Sequence, residues 1–144
     1  MNPEEEEEHI IETTEEHLDY FIARCKEWIT EFGLKGWMFR YCHEDFRDIY
    51  TVAKIIWGRE DRVVLVMLNK KIAHEQKSGS MEILLNTYAF HEVMHLLLSG
   101  LDDMARCDYG HPERIVNEEI HKVIQTIENS SLFENLSKDI EEAK

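Results

Sequence analysis

The sequence predicts an α+β fold in which an N-terminal helix precedes a small three-stranded antiparallel sheet and two further helices. Two patterns indicate this fold. Apolar residues recur every three or four positions near the start and in the second half of the chain, whereas the middle is rich in β-branched and aromatic residues. The 144 residues, 43% of them hydrophobic, suit one domain with its own core. We therefore expect a single domain over residues 1–144.

The first segment, residues 4–32, is predicted to be a helix. Its apolar stripe includes Leu18, Phe21, Cys25 and Trp28, which are three or four positions apart. The glutamates at positions 4–8 suit a helix N-terminus electrostatically, and they could equally form a frayed acidic tail over residues 1–8. Gly33 and Gly36 are expected to end the helix.

Three strands are predicted over residues 37–42, 50–57 and 62–68, with a turn at residues 58–61. Because the connections are short, an antiparallel sheet is the natural arrangement. The third strand is apolar on both of its alternating faces. It is therefore expected to be the most covered of the three.

Two helices are predicted after the sheet. The first covers residues 81–99, with Ser78 or Ser80 as its cap and Gly100 after its end. The second begins at Pro112 or Glu113 and reaches residue 129. Its apolar stripe consists of Val116, Ile120, Val123, Ile124 and Ile127. Residues 130–144 form a short charged tail with room for one or two further turns.

Charge and cysteine content narrow the class of partner and compartment. The chain has 16 basic and 30 acidic residues, a formal net charge of −14, which repels phosphate backbones and anionic lipids. We therefore expect neither nucleic acid nor membrane as a partner. No apolar run is long enough to cross a membrane, and the acidic start is unlike a signal peptide. Cys25, Cys42 and Cys107 are an odd, widely spaced set, which favours reduced thiols and a cytoplasmic protein.

The residues that carry chemistry are His91-Glu92-Val93-Met94-His95, an HExxH motif on a predicted helix. The two histidines are four residues apart, so their imidazoles project from one face, one turn apart. Both nitrogens can reach a single zinc ion at about 2.0–2.1 Å. Glu92 is rotated by about a third of a turn, beside the ion, where it can take a proton from an activated water.

This motif resembles that of the zincin metallopeptidases. The resemblance implies zinc as cofactor, His91 and His95 as ligands and Glu92 as general base. The metzincin pattern HExxHxxGxxH would need glycine and histidine where this chain has Leu98 and Leu101. The gluzincin-like branch instead takes a glutamate from a following helix.

Glu118 and Glu119 occupy that place in the chain. At about 100° per residue, Glu119 lies at the edge of the apolar stripe, near Val116 and Val123, whereas Glu118 points away from it. A ligand between packed helices has to lie at a buried edge. We therefore predict Glu119 as the third ligand, with Glu118 as the alternative. Asp102 and Asp103 are weaker candidates for ligands or for acceptors of a histidine N–H.

The whole layout also resembles small metallopeptidase-like proteins encoded by bacteriophages. The matching segments are residues 91–98, an HEvxHLLL-like helix, and residues 118–121, an EExxH-like helix. This resemblance implies action in the host cytoplasm on a peptide or protein. It also implies that a strand edge, here the third strand, holds an extended substrate. His121 and Tyr109 are candidates for stabilising an oxyanion.

The sequence thus predicts a zinc-dependent peptidase in which Glu92 is the base. A second possibility is a catalytically silent, zinc-stabilised binding or regulatory protein with the same fold. A third is a metal-free helical interaction module. Glu92 favours the peptidase, because a purely structural zinc site has no use for a base beside the ion.

Overall fold

The computed structural model describes residues 9–34, 36–58, 60–74, 80–99, 113–129, 133–135 and 137–138. These residues form the predicted α+β fold. The helices are α1 (Glu15–Glu31), α2 (Met81–Leu97) and α3 (Glu113–Glu128), and the strands are β1 (Ile10–Glu12), β2 (Met38–Glu44), β3 (Ala53–Trp57), β4 (Val63–Asn69) and β5 (Lys71–Ala73). The chain divides into two compact units, residues 1–92 and 93–144, with the boundary inside α2. The single domain stays a prediction.

The N-terminal helix begins later than predicted, and the residues before it form a strand. β1 pairs antiparallel with β5 in a two-stranded sheet that the sequence analysis did not predict. Thr14 then caps α1, because its hydroxyl accepts from the His17 backbone N–H while the His17 ring accepts from the Thr14 N–H. The predicted start at residue 4 is therefore wrong, and residues 1–8 lie outside the described residues.

The C-terminus of α1 is where the glycines predicted it. Gly33 has φ of +64°, a left-handed conformation that glycine adopts without steric cost. Its N–H donates to the carbonyl of Thr30, and the Leu34 N–H donates to the carbonyl of Ile29. This pair of bonds is a Schellman motif, which satisfies carbonyls that the last helical turn leaves open.

The three-stranded sheet has the order β2-β4-β3. β3 and β4 are antiparallel as predicted, whereas β2 runs parallel to β4, so the all-antiparallel sheet is wrong. β4 lies between the other two because it is apolar on both faces and gains most from burial. Val64, Val66 and Leu68 are almost fully buried, which confirms that this strand is the most covered.

The helices that follow the sheet agree with the prediction. α2 and α3 lie within the predicted residues 81–99 and 112–129, and the Ser80 hydroxyl accepts from the Ile83 N–H at the start of α2. In the first unit, Trp28 packs edge-on against Phe90, with ring centroids 4.9 Å apart. In α3, the stripe of Val116, Ile120 and Ile124 is buried. Among the described residues, no helix has the length and apolar character that crossing a membrane requires.

A buried polar network ties α1 to α2 within the first unit. The side-chain oxygen of Asn86 accepts from Arg24 Nε at 2.8 Å and from Trp28 Nε1 at 3.0 Å. Arg24 is buried, and its Nη1 donates to the Glu27 carboxylate at 2.7 Å. A buried cation needs such partners to offset the cost of leaving water. Asn86 therefore holds in place the helix that carries the HExxH motif.

Asn86→Leu is expected to lower the free energy of unfolding by about 2–4 kcal/mol, because it leaves two buried donors, one of them charged, without their acceptor. The measurement is urea denaturation, read as a lower midpoint at an unchanged slope. Thr87→Ala is the matched control on the same helix, since the hydrogen bond that its hydroxyl donates to the Ile83 carbonyl is exposed. An equal effect of both variants would contradict a stabilising role for the network.

Candidate metal centre

His91 and His95 lie on α2, and both are half-buried. One helical turn separates them, which confirms that they share one face of the helix. The face opposite to them carries the core residues Leu85, Ala89, Val93 and Leu96, all buried. The local sequence thus folds so that the apolar side of α2 enters the core while the two imidazoles lie at its outer side.

His121 of α3 joins this pair. One ring nitrogen from each of His91, His95 and His121 can be chosen so that the three atoms lie within 4.8 Å of one another. The rings of His95 and His121 meet edge to face, with centroids 4.6 Å apart. The described residues therefore bring three histidines close enough together to bind a metal ion. From the sequence, His121 is predicted only as a candidate for stabilising an oxyanion.

The structure places both candidate glutamates of α3 at the surface. Glu119 is 66% exposed and pairs with Lys122 at 2.9 Å, and this hydrogen bond raises the pKa of the Lys122 ammonium group. Glu118 is 57% exposed and lies 3.5 Å from Arg114. Neither belongs to the cluster of potential ligands found among the described residues.

The geometry of α3 explains the difference between Glu119 and His121. Relative to the buried Ile120, the two residues point about 100° to either side, so they lie on opposite flanks of one apolar stripe. Both flanks border the buried stripe of Val116, Ile120 and Ile124. His121 lies on the flank beside His95, whereas Glu119 lies on the other one. Glu119 as a ligand stays a prediction.

The donor set fits a divalent transition metal. Neutral imidazole is a ligand for zinc, copper, nickel and iron, and three of them with one open position form a catalytic type of zinc site. Ligand atoms at about 2.0–2.1 Å from a tetrahedral ion are roughly 3.4 Å apart. The separations between the three nitrogens therefore exceed this spacing by at most about 1.4 Å.

Glu92 has only 7% of its surface exposed. Burial raises the pKa of the Cys25 thiol well above its usual value. The negative charge of Glu92, which lies close to this thiol, raises that pKa further. Burial also raises the pKa of Tyr41, with a smaller contribution from Cys25. Cys25 and Tyr41 therefore stay protonated near neutral pH, and Cys25 is buried, in agreement with its place in the predicted apolar stripe of α1.

Other candidate residues cannot be placed. Asp102, Asp103 and Tyr109 lie outside the described residues, as does Cys107. The comparisons with known proteins do not supply a family either: no family model, curated protein or solved structure matches this chain. The motif and the geometry of the histidine cluster are therefore the observations that bear on function.

Proposed function

We propose that this protein is a zinc-dependent peptidase, with His91, His95 and His121 as the metal ligands. The observation that carries the proposal is the cluster of three imidazole nitrogens within 4.8 Å, two of them from the HExxH motif. His121 comes from a second helix, so the spacing of residues along α2 does not explain why it lies beside the other two histidines. A bound zinc ion would supply Lewis-acid activation of water and of a peptide carbonyl.

Glu92 is the proposed general base. It follows His91 directly and is rotated by about 100° from it around α2, on the side toward which His95 also turns. Its carboxylate can accept a proton from the attacking water and pass it to the leaving amine. Because Glu92 is largely buried, few bulk water molecules can reach its carboxylate and exchange protons with it in place of the attacking water.

The proposed substrate is a peptide or protein. β4, the strand that the resemblance implies for holding it, has no open edge, since it pairs with β2 on one side and with β3 on the other. Of the strands in this sheet, only β2 and β3 have an outer edge, so main-chain pairing with an extended peptide would use one of these two. The free thiols of Cys25 and Cys42 support the proposed cytoplasmic location.

The test is metal content followed by cleavage. We expect about one zinc per chain after purification without added metal, and hydrolysis of members of a broad peptide library that stops when zinc is removed. If the protein holds zinc tightly and cleaves nothing, the zinc-stabilised binding protein becomes the better account. If no metal binds, both the zinc-dependent peptidase and the zinc-stabilised binding protein are ruled out.

His121→Ala is expected to weaken zinc binding far more than Glu119→Ala or Glu118→Ala, because only His121 comes within reach of the other two ligands. Loss of one of three ligands should reduce the affinity by more than about 100-fold, the upper range for changes outside the ligand shell. Competition with a chromogenic chelator measures all three variants. A larger loss in Glu119→Ala would restore the glutamate as third ligand.

A further inference from the structure

The outer face of the three-stranded sheet, opposite to the buried face of β4, is apolar along its middle. Because side chains alternate along a strand, Val63, Leu65 and Met67 of β4 point to this outer face. Met38 of β2, which pairs with Val63, is 57% exposed. Ile56 of β3, which pairs with Leu65, is 56% exposed. These five residues form an apolar strip, which we call the outer sheet face.

A basic side chain borders the outer sheet face on each side. Arg40 of β2 pairs in register with Leu65, and Lys54 of β3 pairs with Met67, so both point to the same side of the sheet. Both are exposed, and among the described residues neither forms an ion pair with a carboxylate. The Lys54 ammonium nitrogen lies 4.4 Å from the centroid of the Phe46 ring, a cation–π contact that restrains it.

The charge of the sheet segment contrasts with that of the rest of the chain. Residues 36–74, which include all three strands, contain seven of the 16 basic residues and five of the 30 acidic ones. The rest of the chain therefore has nine basic and 25 acidic residues. Glu44, the acidic residue of β2, lies four positions beyond Arg40, about 13 Å along the strand. An acidic partner is thus repelled by most of the chain and attracted to the outer sheet face.

The dimensions of the outer sheet face favour a single helix as its occupant over a second copy of the protein. Three strands about 4.8 Å apart, over about five residues of 3.3 Å each, cover roughly 240 Å². A stable dimer buries about 800 Å² on each subunit, so this face is too small for one. An α-helix is about 10–12 Å across, which matches the width of the face, and about 11 helical residues match its length.

We propose that the outer sheet face binds an acidic amphipathic helix of a partner protein. The apolar stripe of that helix lies along β4 and covers Leu65, while its flanking carboxylates pair with Arg40 on one side and Lys54 on the other. The glutamates at positions 4–8 of this chain are a poorer occupant, because no apolar residue separates them. The inference goes beyond the proposed peptidase and does not depend on the metal centre.

The probe is a fluorescein-labelled synthetic helical peptide of about 15 residues, whose leucine stripe is flanked by glutamates on both sides. The comparison peptide has the same leucines and has lysines in place of the glutamates. Fluorescence anisotropy at low ionic strength measures the binding of each peptide to the full-length protein. The net charge of −14 attracts the lysine peptide and repels the acidic one. Tighter binding of the acidic peptide is nevertheless the expected result, because the outer sheet face is basic.

Charge reversal on the outer sheet face is expected to weaken binding of the acidic peptide. In the double variant Arg40→Glu/Lys54→Glu the loss should be about tenfold or more, because two attractive pairs become repulsive. Ile56→Thr keeps a β-branched residue in β3 and removes apolar contact, so it should weaken binding about threefold to tenfold. Lys70→Glu/Lys71→Glu is the matched control, since it changes the net charge equally at exposed positions beyond the end of β4. It should bind within about twofold of the wild type, and circular dichroism shows whether each variant is folded.

Each outcome decides for or against the proposal. Tighter binding of the acidic peptide, weakened by the variants of the outer sheet face and kept by the control, supports it. Equal or tighter binding of the lysine peptide, equal losses in both double variants, or no binding of the acidic peptide up to about 1 mM overturns it.

Other occupants of the outer sheet face would also overturn the proposal. A dimer of the wild type that Ile56→Thr dissociates identifies a second copy as the occupant. Displacement of the probe by a synthetic peptide of residues 1–9, at lower concentration than by the unlabelled probe, identifies the acidic start of this chain instead. Zinc takes no part in any of these measurements, so failure here leaves the proposed peptidase untouched.

Discussion

Peptide hydrolysis by the Glu92→Gln variant is expected to be about 10²–10⁴-fold slower than by the wild type, with zinc content and fold unchanged. Glutamine is nearly isosteric with glutamate and can still hydrogen-bond, but it cannot accept a proton from water near neutral pH. Glu92 is 7% exposed, so few water molecules can replace the missing carboxylate. The measurement is kcat/KM on a peptide identified from the library.

The control for this variant is Glu82→Gln, which neutralises an exposed glutamate in the first turn of the same helix. It should retain the wild-type rate. Zinc content has to be determined on the same preparations, because loss of metal would imitate loss of the base. If Glu92→Gln hydrolyses the peptide as fast as the wild type with zinc bound, Glu92 is not the base.

Replacement of His91 or His95 by alanine is expected to remove nearly all zinc binding. Each side chain supplies one of the three nitrogens of the cluster, and two imidazoles alone hold the ion far less tightly. Metal binding also stabilises the fold, by about 2.7 kcal/mol when free zinc is 100 times the dissociation constant. Zinc should therefore raise the melting temperature of the wild type and leave that of both variants unchanged.

His9→Ala is the matched control, because His9 is exposed and precedes β1, and its backbone carbonyl, which the substitution keeps, accepts from the His74 N–H. It should bind zinc and be stabilised by it like the wild type. Circular dichroism of the metal-free proteins shows whether each variant is folded before zinc is added. Equal zinc content in His91→Ala, His95→Ala and the wild type would remove the proposed site.

The helix that carries the motif could be predicted from the sequence because every signal for it is local. Ser80 caps α2, apolar residues alternate with the histidines at helical spacing, and the HExxH separation alone places two imidazoles on one face. The buried stripe of α3 could be predicted for the same reason. In both helices a period of 3.6 residues relates neighbours along the chain, and no distant contact is needed to define it.

The start of α1 and the strand order depend on distant parts of the chain. Residues 10–12 could have continued the helix, but they pair with residues 71–73, about 60 positions away. In the same way, β2 and β3 both pair with the strongly apolar β4, one on each side. Because the chain reverses between β2 and β3 and again between β3 and β4, β2 and β4 run in the same direction. Periodicity within one segment contains no information about which other segment will pair with it.

The order of residues along the chain is enough to predict the motif, the α+β class and the approximate bounds of α2 and α3. Which histidine joins His91 and His95 depends on the packing of the folded chain. Glu119 and His121 point to opposite sides of Ile120, and the predicted apolar stripe, with Val116 and Val123 on the Glu119 side, favours the glutamate. The packing that puts the His121 ring 4.6 Å from that of His95 distinguishes them, because a ligand set depends on distances between helices and not on the order of residues within one.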